Sequence, residues 1–184
     1  MKPYSINDKC TESDCRKIFA SSLEELGWLC YTLTGDQKLS DKALQAAMEQ
    51  SVKGAGQVFR EWMLSWTRRL IIKFCITTMR PTVAVTDRHY YISQRFAPID
   101  TEHVELALSL SPDVLQRKLQ RLDTLHRFAF VLRAMEGYSR RDTALLLGVD
   151  DRTCEWSYAQ AVAAIQPNIY VMKSNETRME LVSA

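Results

Sequence analysis

Apolar residues recur at helical spacing along most of this chain. Leu23, Leu26, Cys30 and Leu33 lie three or four residues apart, which predicts a helix over about 22–33, and Gly35 follows at its stop. A second helix is predicted over about 40–52. Ser40 is its cap, and Leu44, Ala47, Met48 and Val52 form its stripe, with Gly54 and Gly56 as punctuation. A third, longer helix is predicted over about 57–78. Its core side is Phe59, Trp62, Met63, Trp66, Leu70 and Phe74, its basic side Arg60, Arg68, Arg69 and Lys73, and Pro81 ends it. Residues 1–16 are polar and read as loose. From 80 to 111 no period is sustained, Thr82–Val85 allows a short extended piece and Pro98 interrupts, so this stretch reads as a linker. Ser111-Pro112 then opens a helix carrying Val114, Leu115, Leu119 and Leu122. Another carries Leu125, Phe128, Ala129, Leu132 and Met135 up to Gly137. Pro167 closes the pattern, and residues 168–184 read as a weakly ordered tail.

Residues 137–161 are the most informative stretch. Ser139 with Asp142 three residues on forms a capping box, and Ala144, Leu145 and Leu147 give the helix after it an apolar face. Gly148 stands where a sharp turn needs a residue without a Cβ. Asp150 caps a further helix in which Cys154, Tyr158 and Ala161 share one side. The small Ala144 lets two helices cross closely, at the steep angle a short glycine turn imposes. Such a unit places its second helix in a DNA major groove in many proteins. The other reading is an αα-corner of an ordinary helical domain.

Charge and chemistry narrow this picture. The net charge of +2 creates no global basic field. Residues 1–80 hold 12 Lys/Arg against 9 Asp/Glu, and residues 113–166 hold 8 against 7, so the cationic excess lies in the first half. The five cysteines include no CxxC pair. Cys10 and Cys15 have no paired His, and His89, His103 and His126 stand at no ligand spacing, so neither a metal nor a cofactor is expected. There is no glycine-rich phosphate loop, and Cys154 has no adjacent His, so the inventory reads as non-enzymatic. Residues 70–76 are interrupted by Lys73 and are too short to span a membrane, and Lys2 is followed by polar residues rather than a signal core. The expectation is a reduced, cytoplasmic protein.

Two sets of residues carry a family resemblance. In the first half these are Leu33-Thr34-Gly35-Asp36 followed by Leu44-Gln45, then Trp62-Met63 with Arg68-Arg69. In the second half they are Arg127, Leu132, Gly137, Ser139, Ala144, Leu147-Gly148-Val149 and Thr153. With these the chain resembles the extracytoplasmic-function sigma factors of bacterial RNA polymerase over roughly 20–78 and 112–166. The resemblance implies an all-α fold of two small helical domains joined by a linker, the second containing a helix-turn-helix. The ranges are 17–79 for a polymerase-binding domain, 80–111 for the linker, 112–166 for the DNA-binding domain and 167–184 for the tail. It implies core RNA polymerase, double-stranded promoter DNA and an anti-sigma protein as partners. Leu44, Gln45 and Met48 would meet polymerase. Arg140, Arg141, Arg152, Thr153, Glu155 and Trp156, with Arg68, Arg69 and Lys73, would meet DNA. The chain departs from the family pattern at Lys42, where an acid is usual, and at Glu155 and Ser157, where cations are usual. Arg140 and Arg141 also read as a solvated helix end, and Trp156 as packing on the linker. The acidic recognition helix keeps a second reading open: a sigma-derived module that binds a protein and no longer reads promoters.

Overall fold

In the structure, a computed structural model, residues 9–80 and 101–166 are described. The expectations for the first eight residues, for Thr82–Val85 and Pro98, and for Pro167 and the tail lie outside them. The described residues are helical apart from turns and an isolated antiparallel bridge between Lys9 and Phe59. None of their helices is long and apolar enough to cross a membrane. The chain divides into two compact units, residues 1–80 and 81–184.

The described residues of the first unit form four α-helices: α1 (Glu12–Ser21), α2 (Leu23–Thr34), α3 (Gln37–Lys53) and α4 (Met63–Met79), with a 3-10 turn at Arg60–Trp62 before α4. The sequence reading of residues 1–16 as loose is corrected by α1 for residues 12–16. Thr11 caps it and exchanges hydrogen bonds with Asp14 in a capping box, while Cys15 and Phe19 turn inward. Gly35 ends α2 in the left-handed region at φ 69°. The cap of α3 is Asp36, whose carboxylate accepts from Leu39 N at 2.8 Å. Ser40, expected as that cap, lies a turn inside and is buried.

The buried face of α3 is Ser40, Ala43, Ala47 and Ser51, all small, so α2 and α4 can both pack closely on it. The expected stripe through Leu44, Met48 and Val52 flanks this seam and is only half-buried. Where α3 meets α4, the Ser51 and Thr67 hydroxyls are 2.9 Å apart, and Thr67 also donates to Met63 O. Leu26, Leu29, Cys30 and Leu33 from α2 and Ile71, Ile72 and Cys75 from α4 complete the core.

The second unit contains α5 (Thr101–Leu108), α6 (Pro112–Gln120), α7 (Thr124–Phe130) running into a π-helical turn at Val131–Met135, α8 (Arg140–Leu147) and α9 (Asp151–Ile165). Residues 101–108 are therefore no linker: they form α5, which packs on α9 and on the π turn. α9 is the centre of this unit, in contact with α5, α6, α7 and α8. Phe128, Phe130, Val131 and Leu132 are fully buried beneath it. Lys118 on α6 donates to Ile165 O at 2.7 Å and so satisfies a carbonyl at the C-terminal end of α9. Arg127 is buried as well. Its Nη1 donates to Gln120 Oε1 at 2.7 Å, and burial holds its pKa below the usual guanidinium range.

Candidate nucleic-acid interface

Two surfaces correspond to the residues singled out in the sequence, one on each unit. On the first unit the apolar side of α4 is rotated from the expected one. The buried positions are Met63, Thr67, Ile71, Ile72 and Cys75. Trp62 is 54% exposed and Trp66 38%, so neither is a core residue. The period explains the shift. Positions 63, 67, 71 and 75 repeat every four residues with two β-branched members and one thiol, a face narrow enough to lie on the small residues of α3. The large tryptophans fall outside it.

Trp62, Trp66, Arg69 and Lys73 follow one another at four, three and four residues, and all four are exposed. They therefore make one surface stripe, aromatic at its N-terminal end and cationic beyond. Phe59 supports the aromatic end, its ring edge-on to Trp62 with centroids 5.4 Å apart. Arg68, expected with this set, leans the other way and pairs with Glu25 on α2.

On the second unit α8 and α9 meet through a three-residue turn. Ser139 Oγ accepts from Asp142 N at 3.1 Å and bonds its carboxylate at 2.7 Å. Gly148 ends α8 at φ 67° with nothing within 4 Å of where a Cβ would stand, so backbone strain rather than crowding requires glycine there. Asp150 caps α9, its two oxygens accepting from Thr153 N and Thr153 Oγ1 at 2.8 Å each. These bonds, the backbone one first, hold its carboxyl below the usual carboxylate range. Ala144, Leu147, Cys154, Tyr158 and Ala161 are buried between the helices, and burial pushes the Cys154 thiol up to about 11.

Three of the residues expected to face DNA do not. Trp156 is 4% exposed, packed edge-on against the His126 ring at 4.9 Å. Thr153 is buried, and its hydroxyl is engaged in the Asp150 cap. Glu155 is half-buried and accepts from Arg133 Nη1 at 2.7 Å, with the Arg133 guanidinium 4.1 Å above the Tyr158 ring. Arg133 went unnoticed in the sequence because it lies 22 residues from Glu155. Its one signal was the acid standing where a cation is usual, which asks for a partner. Leu145, expected on the apolar face, is 73% exposed.

What the α8–α9 unit does present is Arg140, Arg141 and Arg152, all exposed, beside Asp142, Asp150 and Asp151. Arg140 Nη2 lies 3.5 Å from Asp151 Oδ2. Three cations set among three carboxylates leave little net positive charge to meet phosphates. On α3, Gln45 is exposed and donates to Glu49, whereas Leu44 and Met48 are half-buried, with Leu44 Cδ1 lying against Gly27 of α2. No three His, Cys, Asp or Glu side chains among the described residues are placed to hold a metal.

Comparison with known proteins adds two matches. Residues 119–167, which include α7, the π turn, α8 and α9, match the family described as the sigma-like domain of the response regulator PhyR. The ECF RNA polymerase sigma factor SigM, from the Erdman and H37Rv strains of Mycobacterium tuberculosis, is 34% identical to this chain over 132 residues, which is 68% of the chain. The chain spans 62% of the length of those relatives. By these matches the chain is similar to the extracytoplasmic-function sigma factors, and its residues 119–167 to the sigma-like domain of PhyR.

Proposed function

We propose that this chain is a sigma-like transcription initiation factor whose first unit takes hold of separated DNA strands. The observation that carries this reading is the exposed stripe Trp62, Trp66, Arg69 and Lys73. Aromatic faces stack on unpaired bases of any sequence, and neighbouring cations neutralise the phosphates that follow, which is how single strands are held without base-edge readout. The α8–α9 unit meets duplex promoter DNA through Arg140, Arg141 and Arg152, and its near-balanced charge makes that contact weak, with a shallow salt dependence. Core RNA polymerase is engaged by α3, with Gln45 as the exposed residue and Leu44 and Met48 at its margin. The relatives' names support the polymerase partner.

Fluorescence anisotropy with single-stranded and duplex oligonucleotides at several salt concentrations, with and without core polymerase, tests the reading. Tighter binding to the single strand, lost on changing Trp62 and Trp66 to Ala, is expected. Equal affinity for both forms, unmoved by the two substitutions, would overturn it.

A second reading has its own observation. Leu145 and Leu146 are exposed on α8, 73% and 38%, beside the balanced charges. Such a surface suits a protein partner better than phosphates. Stoichiometric capture of a regulator protein with no measurable DNA binding would favour this module.

A further inference from the structure

The first unit contains a small sulfur core separate from its main one. Cys10, Cys15 and Met63 are 1%, 3% and 1% exposed and cluster together, with Ile18, Val52, Ala55 and Val58 packed around them. Cys10 Sγ lies 3.7 Å from Cys15 Sγ, and Cys15 Sγ lies 3.4 Å from Met63 Sδ. The three residues come from different segments. Cys10 precedes α1, Cys15 lies one turn into it, and Met63 is the first residue of α4. Cys10 is held to the turn after α3, its N–H donating to Val58 O at 2.9 Å and its carbonyl accepting from Gly56 N at 2.7 Å.

We propose that Cys10, Cys15 and Met63 form a buried binding site for one copper(I) ion. The donor set selects the metal. Two thiolates and a thioether, with no imidazole or carboxylate in the cluster, suit a soft monovalent cation, whereas zinc takes its ligands from Cys, His and carboxylates. Two of the three sulfur–sulfur distances, both from Cys15, are close to what such an ion needs. With metal–sulfur bonds of roughly 2.3 Å, as thiolates make to d10 ions, a planar three-sulfur set has its sulfurs about 4 Å apart. The measured 3.4 and 3.7 Å require small outward rotations of unbranched side chains. Both thiols now spend their protons weakly, Cys10 on Thr11 O at 3.6 Å and Cys15 on Ser51 O at 3.4 Å, and both protons leave when the metal binds. The apolar surround excludes water and favours copper(I) over copper(II). A disulfide would need only the two cysteines. The thioether 3.4 Å from Cys15 stands where it would serve as a third ligand.

The bound ion would tie the segment before α1 to the first residue of α4, next to Trp62. The test is anaerobic titration of the reduced full chain with copper(I) against a competing chelator. Uptake of one equivalent and a three-sulfur shell by X-ray absorption are expected. Cys15→Ser should abolish uptake. Met63→Leu conserves volume and should weaken it by more than about tenfold, the least that even an outer-sphere partner contributes. The Cys30→Ala/Cys75→Ala variant and Cys154→Ala should each retain one equivalent, with circular dichroism verifying that each variant folds. No uptake by the wild-type chain overturns the site, as does uptake that follows Cys30 and Cys75, or a shell of two sulfurs. So does a chain that binds no copper(I) but closes a Cys10–Cys15 disulfide under hydrogen peroxide, seen by peptide mass mapping. The X-ray absorption shell is read on the wild-type chain and decides the thioether's role even if Met63→Leu fails to fold.

Discussion

The start of α4 and the start of α9 both carry tryptophan near charged residues, and the two units use that combination in opposite ways. Trp62 and Trp66 stand out from a helix whose inward face is already filled by Met63, Thr67 and Ile71. Trp156 lies in a helix surrounded by four others and is buried against His126. The cations divide less cleanly. Arg69 and Lys73 are exposed on α4, and in the second unit Arg140, Arg141 and Arg152 are exposed while Arg133 is turned inward to Glu155 and Tyr158. A residue type suited to nucleic acid is therefore no guide to a binding surface until the packing of its helix is known. What decides is which face of the helix its neighbours cover.

The largest expected effect breaks this comparison at the tryptophans. Trp156→Ala should cost about 3–5 kcal/mol, the range for removing a large buried aromatic. Chemical denaturation should show the second unit unfolding at much lower denaturant. Trp62→Ala with Trp66→Ala should cost stability only on the scale of the Phe59–Trp62 ring contact, about 1 kcal/mol. It should instead lower single-strand affinity by about 1–3 kcal/mol for each base that loses its stacking partner. If Trp156→Ala proves harmless to stability, the contrast between the two helices fails.

The elements of both units were largely legible in the sequence, because helical spacing and caps are local. Gly148 and Asp150 mark the turn of α8–α9, and the structure puts both to the use their chemistry suggests. α1 was missed because its apolar content is sparse; the Thr11–Asp14 capping box was its readable signal. The inward face of α4 was misassigned because size stood in for burial. The pattern 62, 66, 70, 74 is the more hydrophobic, but 63, 67, 71, 75 is the one that fits a partner helix lined with Ser and Ala. Contacts distant in sequence, Arg133 to Glu155 and Arg68 to Glu25, left no local trace. They are the ones that changed the candidate site.

An intermediate effect sharpens the comparison at Glu155. The ion pair with Arg133 joins side chains that are 31% and 22% exposed, so it is less screened than a surface pair. Arg133→Ala should destabilise the second unit by about 2 kcal/mol, since it removes a charge-assisted hydrogen bond and the contact with Tyr158. Glu155→Lys should destabilise comparably by setting two cations together. Glu155→Gln keeps an acceptor and should cost less. If Glu155 belongs to Arg133 rather than to DNA, Glu155→Gln leaves the salt slope of duplex binding unchanged. A slope steeper by one unit would return Glu155 to the interface.

The smallest effect concerns what the two units share. Each opens a helix with a depressed carboxylate: Asp14, held down by the Thr11 hydroxyl first and then by its N–H, and Asp150, held down first by Thr153 N–H. A carboxyl whose folded pKa lies below its unfolded value of 3.8 adds stability above that value and loses it as pH falls through the folded pKa. Asp150→Ala should therefore cost about 1 kcal/mol at neutral pH, as cap removal does. The penalty should shrink as pH falls below the unfolded value of 3.8 and through the lower folded pKa, where the wild-type carboxylate is protonated as well. Asp150→Asn retains a capping oxygen without the charge, so it should cost less at neutral pH, and its penalty should fall with pH by the same amount, because the pH dependence belongs to the wild-type carboxylate. Asp14→Asn should show the same direction in the first unit. Denaturant melts of each variant at neutral and acid pH, followed by tryptophan fluorescence, measure the difference. A penalty for Asp150→Ala that stays constant across the acid range would mean that Thr153 is held by packing rather than by the charged cap.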